Sequence, residues 1–299
     1  MFIDIHAHAY RKTPPFVCGF CTAEQLIARY DTMGVEKGAV LPIVSPEIYF
    51  PQANEDILEM CADHPDRLFP FCNIDPRLLT NSADAPLGKV LQHYKDQGCK
   101  GLGEVMPNMP VMHPMVQNLF KHAAEVGLPV ITDGSDQMTG DFGLYDDPGL
   151  PQLEHTLQRF PDLIMLGHGP VFWAEIARLE TPAERSSCFR PDGGQVGRRQ
   201  STPIKEEGVV PKLMRLYPNL YGDLSDASPW NALSRDEEYG PKFVEEFQDR
   251  LLFGTDMCAP DMPVEMVDLL LGWRESGKIS EVVFQKVARE NAVKMFGLG

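Results

Sequence analysis

Apolar runs of strand length recur along the whole chain, at Phe2–Ile5, Lys37–Ile43, Arg67–Ile74, Lys100–Val105, Leu128–Thr132, Leu163–Gly167, Asn219–Leu224 and Arg250–Gly254. Runs this short, rich in branched apolar residues, predict strands buried on both faces. The stretches between them are amphipathic and predict helices at Thr22–Met33, Ala53–His64, Leu87–Gln97, Met115–Val126, Leu150–Phe160, Val209–Tyr217 and Gly240–Phe247. Gly34 and Gly127 stand where two of these helices should stop. Two more, Pro263–Ser276 and Ser280–Phe296, finish the chain. Strands that alternate with helices lie parallel. Eight such units in one chain favour closure into a (β/α)8 barrel over an open sheet.

Length and composition agree with one large barrel. The chain has 299 residues, 43% of them hydrophobic, enough for a full core. It is read as one domain spanning 1–299, with no linker, internal repeat or low-complexity tract. The stretch from Gly167 to Val209 is longer than a strand-to-helix connection needs, and 178–208 is read as an insertion over the active-site face. A net charge of -16 argues against nucleic acid and anionic membranes, whose phosphates it would repel. No run approaches the ~20 apolar residues that span a bilayer, and no secretory signal precedes the first strand. Seven scattered cysteines do not form a disulfide framework, so the expected location is cytoplasmic. Cys18-Gly19-Phe20-Cys21 has redox spacing, but it lies well past the first strand, near Pro14-Pro15, and is read as loop. Homo-oligomer formation is left open.

The chemistry gathers at strand ends. In barrels of this type the carboxyl ends of the strands build the active site. The first strand ends in His6 and His8, two positions apart and so on the same side. The fourth ends in Glu104, the sixth in His168 between glycines, and the eighth in Asp256. The fifth runs into Asp133. Singly, each has a plain structural explanation: Asp256 a helix cap, Glu104 a solvated loop carboxylate, His168 a satisfied buried imidazole. Together they converge on one axial point and predict a metal site.

Imidazoles mixed with carboxylates suit zinc, with manganese or iron as alternatives. A coordination position left to water lowers its pKa toward ~7. Asp256 is then the candidate base, and His168, where it is not a ligand, a hydrogen-bond donor to a developing oxyanion. Arg190 and Arg198, in the arginine-rich Arg178–Arg199 stretch, could hold an anionic substrate group, with Trp173, Trp230 and Phe172 beside it. A solvated loop and a core tryptophan are the plainer alternatives.

Asp4-Ile5-His6-Ala7-His8, Gly101-Leu102-Gly103-Glu104, Gly167-His168-Gly169 and Leu252-Phe253-Gly254-Thr255-Asp256, in this order, resemble the amidohydrolase superfamily. The branch resembled is the amidohydrolase-related group that includes aminocarboxymuconate-semialdehyde decarboxylase. Ala288–Phe296 resembles that group's final helix, so the likeness runs from Phe2 to Phe296. The resemblance implies metal ligands at His6 and His8, metal binding and base chemistry at Asp256, and a ligand or polarising role for His168. It also implies a histidine ligand after the Leu-Pro-Val run of the fifth strand, where this chain has Asp133. Either Asp133 (or Asp136) ligates, or Glu104 completes the shell, or the site is weakened; Glu104 is preferred. The expected function is a metal-dependent hydrolase of a small amide, ester or lactone. The alternatives are a non-oxidative decarboxylase or hydratase of a small carboxylic acid, and a barrel with a degraded site.

Overall fold

The computed structural model describes residues 1–11, 19–48, 52–185 and 202–298. Eight parallel strands carry the architecture: β1 (Phe2–Asp4), β2 (Val35–Val40), β3 (Leu68–Pro70), β4 (Leu102–Val105), β5 (Val130–Thr132), β6 (Met165–Gly167), β7 (Leu220–Asp223) and β8 (Leu251–Leu252). They pair as two sheets, β1-β2-β3 and β4-β5-β6-β7-β8. A parallel bridge between Cys72 and Leu102 spans one seam, and a bridge between Ala7 and Met257 spans the other. Ile5 N–H also donates to Phe253 O across that second seam at 3.1 Å. The protein is therefore a (β/α)8 barrel.

Strand alternation explains the two cores. Ile3, Ile5, Ala39, Leu41, Phe69, Phe71, Ile131, Leu166 and Leu252 pack with Phe296 in one buried cluster, the filled interior expected of a small barrel. Phe2, Val35, Val40, Leu68, Leu102, Val130, Met165 and Leu220 face the helices in the larger one. Most observed strands are shorter than their apolar runs, because flanking residues turn into loops; β2 instead starts two residues earlier, at Val35.

The helices start and stop largely where their punctuation lies. α1 (Ala23–Met33) opens on a capping box between Thr22 and Gln25 and closes on Gly34 at φ 72°, a left-handed turn that favours glycine. α2 (Asn54–Asp63), α3 (Leu87–Asp96), α4 (Pro114–Val126) and α5 (Pro151–Arg159) follow β2 to β5. Two helices were not expected. α6 (Gly169–Ala174) begins directly after His168, with Pro170 in its first turn, where the sequence reads as open loop. Its fixed proline φ suits a first helical turn. After α7 (Val209–Leu216), α8 (Ala227–Ser234) is capped by the Asp226 carboxylate, which accepts Ser228 N–H at 3.3 Å.

α9 (Tyr239–Glu246) and α10 (Glu265–Glu275) complete the ring. The closing run comprises α11 (Glu281–Gln285), one π turn over Lys286–Glu290, and α12 (Asn291–Phe296). The π turn has a purpose: Val287 O accepts Phe253 N–H at 3.0 Å, satisfying a donor just past β8. Among the described residues no helix is long and apolar enough to cross a membrane.

Candidate metal centre

The first strand does not simply run on into the site. Ile3 and Ile5 point into the barrel, so strict alternation would send His6 and His8 outward. A bend at Ile5 resets the phase. Asp4 Oδ1 accepts the His6 N–H at 2.9 Å, a local side-chain turn. The same oxygen accepts Thr255 N–H at 2.9 Å, and Oδ2 accepts the hydroxyls of Thr255 at 2.6 Å and Tyr30 at 2.7 Å. Asp4 thereby ties the end of β1 to the loop after β8. Burial raises its carboxyl to about 6, against the pull of these four donors.

His6 and His8 then face Glu104 and Asp256. The two Nε2 atoms are 3.2 Å apart. Glu104 Oε2 lies 3.5 Å from His6 Nε2 and 3.7 Å from His8 Nε2. Asp256 Oδ1 lies 3.5 and 3.3 Å from the same two atoms. A four-coordinate ion with bonds of about 2.0–2.1 Å holds its ligand atoms about 3.3–3.4 Å apart. The cage has that size.

The hydrogen bonds behind the rings show what the cage is for. His8 Nδ1 is 2.9 Å from Leu41 O, which only accepts, so Nδ1 carries the proton. His6 Nδ1 is 2.7 Å from Asp223 Oδ2 and donates likewise. With Nδ1 the donor in both rings, the two Nε2 atoms aim at one point from 3.2 Å apart, and a cation there would take the place of their protons. The donor set fits a divalent ion.

Glu104 has a second face. Its Oε1 lies 3.4 Å from His168 Nε2, and Asp133 joins these two in a compact buried group. Asp133 is thus grouped with Glu104 and His168 rather than with the His6–His8 pair; one of its oxygens accepts Gly134 N–H at 2.8 Å. Burial first, and Glu104 second, push its carboxyl well above the usual range. The Asp256 carboxyl, which burial would raise, is instead held low by His8, His6 and His168. Burial and the charge on His6 oppose protonation of His168, yet Asp223 and Glu104 outweigh them and raise it to about 10 in the absence of a cation. A further grouping of His6, His168 and Asp223 is closed by hydrogen bonds through Nδ1, not open to an ion.

Sequence reasoning singled out six of these side chains and missed three. Asp223 ends β7, and its only signal was a carboxylate at a strand end. Ser225 follows it, with Oγ 2.9 Å from His168 Nδ1. Asn73, three residues past β3, donates to Glu104 O at 2.6 Å and Pro42 O at 3.1 Å, fastening three strand ends. Trp173 corrects an expectation: it is 1% exposed and spends its indole N–H on Asp223 O at 3.0 Å, so it packs behind the centre rather than lining a substrate pocket. Arg190, Arg198 and Cys18 lie outside the described residues. Cys21 is buried, and burial lifts its thiol to about 11, which removes the thiolate that redox exchange needs.

A parallel barrel with imidazoles and carboxylates converging at its strand ends defines a class, the metal-dependent barrel enzymes. The chain belongs to the amidohydrolase family, whose model matches residues 50–298; it is an enzyme of the amidohydrolase superfamily, and His6, His8, Glu104 and Asp256 form a group that could hold a divalent metal. The match begins beyond His6 and His8, and the fold brings these two into the site. No curated protein sequence matches the chain.

Solved structures share its fold at low identity. An uncharacterised TIM-barrel protein from Bordetella bronchiseptica has a TM-score of 0.65 at 16% identity, covering 99% of this chain and 98% of its own. A 5-carboxyvanillate decarboxylase from Novosphingobium aromaticivorans, with bound manganese and 3-methoxy-4-hydroxy-5-nitrobenzoic acid, has a TM-score of 0.59 at 15% identity, covering 99% and 97%. A probable 2-pyrone-4,6-dicarboxylic acid hydrolase from Acinetobacter baumannii, with citric acid bound, has a TM-score of 0.58 at 14% identity, covering 99% of each chain.

Proposed function

We propose that the protein is a metal-dependent enzyme that decarboxylates a small carboxylic acid without an oxidant. The observation that carries the metal-dependent part is the pair of imidazole Nε2 atoms facing each other at 3.2 Å inside a cage of two carboxylates. The substrate class is supported by the similar structures, which include decarboxylases of 2,6-dihydroxybenzoate and 5-carboxyvanillate. A divalent ion held by His6, His8, Glu104 and Asp256 would supply Lewis-acid stabilisation of substrate oxygens.

The chain's own groups do the rest. In decarboxylation the carbon–carbon bond breaks, carbon dioxide leaves, and the carbon takes up a proton. Asp256 is 20% exposed at its side chain against 0–5% for the other three cage members, so it is the one placed to pass a proton between solvent and substrate. His168, held with Nδ1 on Ser225 Oγ at 2.9 Å, is a donor for a substrate oxygen through Nε2.

Hydrolysis, the first expectation from the sequence, is the second reading. The family name and the pyrone dicarboxylic acid hydrolase favour it, and Asp256 would then take a proton from water and pass it to the leaving group. Carbon dioxide release and lactone or ester cleavage, assayed side by side over a panel of small aromatic and pyrone carboxylic acids, separate the two. Less than a tenth of an equivalent of any transition metal after reconstitution would sink both. Asp256→Asn should abolish turnover by at least ~100-fold, the usual scale of a lost proton-transfer group; unchanged turnover removes Asp256 from this role.

A further inference from the structure

Behind the centre, one carboxylate serves two rings. Asp223 is fully buried at the end of β7. Its Oδ2 lies 2.7 Å from His6 Nδ1 and 3.4 Å from His168 Nδ1. Its Oδ1 accepts Ser225 N–H at 3.0 Å, which sets the serine so that Oγ lies 2.9 Å from His168 Nδ1 and 3.2 Å from His6 Nδ1. Trp173 covers the pair from outside the barrel through its hydrogen bond to Asp223 O. Both rings thus turn Nδ1 toward the same buried acceptors. Both turn Nε2 toward Glu104, His6 at 3.5 Å and His168 at 3.4 Å.

The geometry points to Asp223 as the positioning residue that, with Ser225, fixes the orientation and protonation pattern of both His6 and His168. A carboxylate accepts from two N–H groups at once, whereas an amide would offer one carbonyl and an N–H₂ that must find an acceptor. A neutral amide at this position satisfies at most one ring and turns a donor on the other. His8 is outside this control, because Leu41 O holds it separately. The two imidazoles that approach the two oxygens of Glu104 are therefore coupled through Asp223.

The test uses full-length protein labelled with ¹⁵N-histidine. In the wild type, the Nδ1–H protons of His6 and His168 should both appear far downfield and exchange slowly. In Asp223→Asn both should move upfield and lose protection together, and zinc affinity should fall about 10- to 100-fold, the scale for outer-shell partners of ligating histidines. In Ser225→Ala the His168 signal should move while the His6 signal holds.

The zinc readout rests on the reading of His6 as a metal ligand; the imidazole signals do not. Failure of the wild type to bind zinc would thus count against the metal reading alone. An unmoved His168 signal in Asp223→Asn overturns the shared role. So does a variant that melts earlier with both signals and zinc affinity intact, the behaviour of a purely structural residue. Should Asp223→Asn not fold, Ser225→Ala decides: loss of both signals, or of neither, contradicts the arrangement.

Discussion

At the scale of single residues, the site depends on groups that never meet a substrate. Asp4 collects two N–H and two O–H donors and so registers the His6 segment against Thr255 and Asp256. Thr255→Val removes its hydroxyl donor and leaves Met257 N–H without the acceptor it has at 3.1 Å. The expected cost is about 1–3 kcal/mol by urea denaturation, the scale for a buried polar partner removed, with weaker metal binding. A loss below about 0.5 kcal/mol, an ordinary surface effect, would show that Asp4 does not need this donor. Asp256 itself has φ 52°, a left-handed conformation that aspartate tolerates better than most side chains. It is held there by its own N–H, which donates to His6 O at 2.7 Å.

At the scale of elements, strand and helix ends carry the function. His6, His8 and Asp256 sit two to four residues beyond the ends of β1 and β8, where side chains escape strict alternation, and Glu104 is the penultimate residue of β4. The loop between β5 and α5 shows how such an end is anchored. Buried Asp146 accepts Gln152 N–H at 3.0 Å and Leu153 N–H at 2.8 Å, capping α5. Arg185 donates to Asp146 O at 3.1 Å and lies 3.1 Å from Glu175 Oε1, so the stretch after α6 is pinned to the same place.

Burial raises the Asp146 carboxyl to about 6, above its unfolded value of 3.8. The folded state therefore binds the extra proton between these values, and its contribution to stability is greatest below 3.8 and lost as pH rises through 6. Relative to Asp146→Asn, the wild type should gain up to about 3 kcal/mol on going from pH 7 to pH 4, two pKa units' worth. Paired denaturation curves at the two pH values measure this, and a constant difference between the proteins refutes it.

At the scale of the molecule, four groups from three strand ends include two like pairs, His6 with His8 and Glu104 with Asp256, that an ion would hold together. Removing metal by chelation should lower the melting temperature. Restoring zinc or manganese at 100 times its dissociation constant should return about 2.7 kcal/mol. Identical melting with and without metal would show that the cage does not gain from being filled.

The pattern of apolar runs was enough to determine the barrel, because parallel strands covered by helices must be apolar on both faces and each helix must be amphipathic. The order His6-x-His8, Glu104, His168, Asp256 was equally legible, since a parallel barrel places every strand's carboxyl end on one face. Tertiary structure alone decided the rest. Only it shows that Glu104 is shared between two groups, that Asp133 groups with Glu104 and His168 rather than with the paired imidazoles, and that Trp173 belongs to the core. The bend at Ile5 that turns His6 and His8 inward depends on Thr255 and Tyr30 meeting Asp4 from distant parts of the chain. Asp223 and Ser225 gain their roles only when β7 closes beside β6 and β8, because a hydrogen bond between residues 217 positions apart leaves no trace in local sequence.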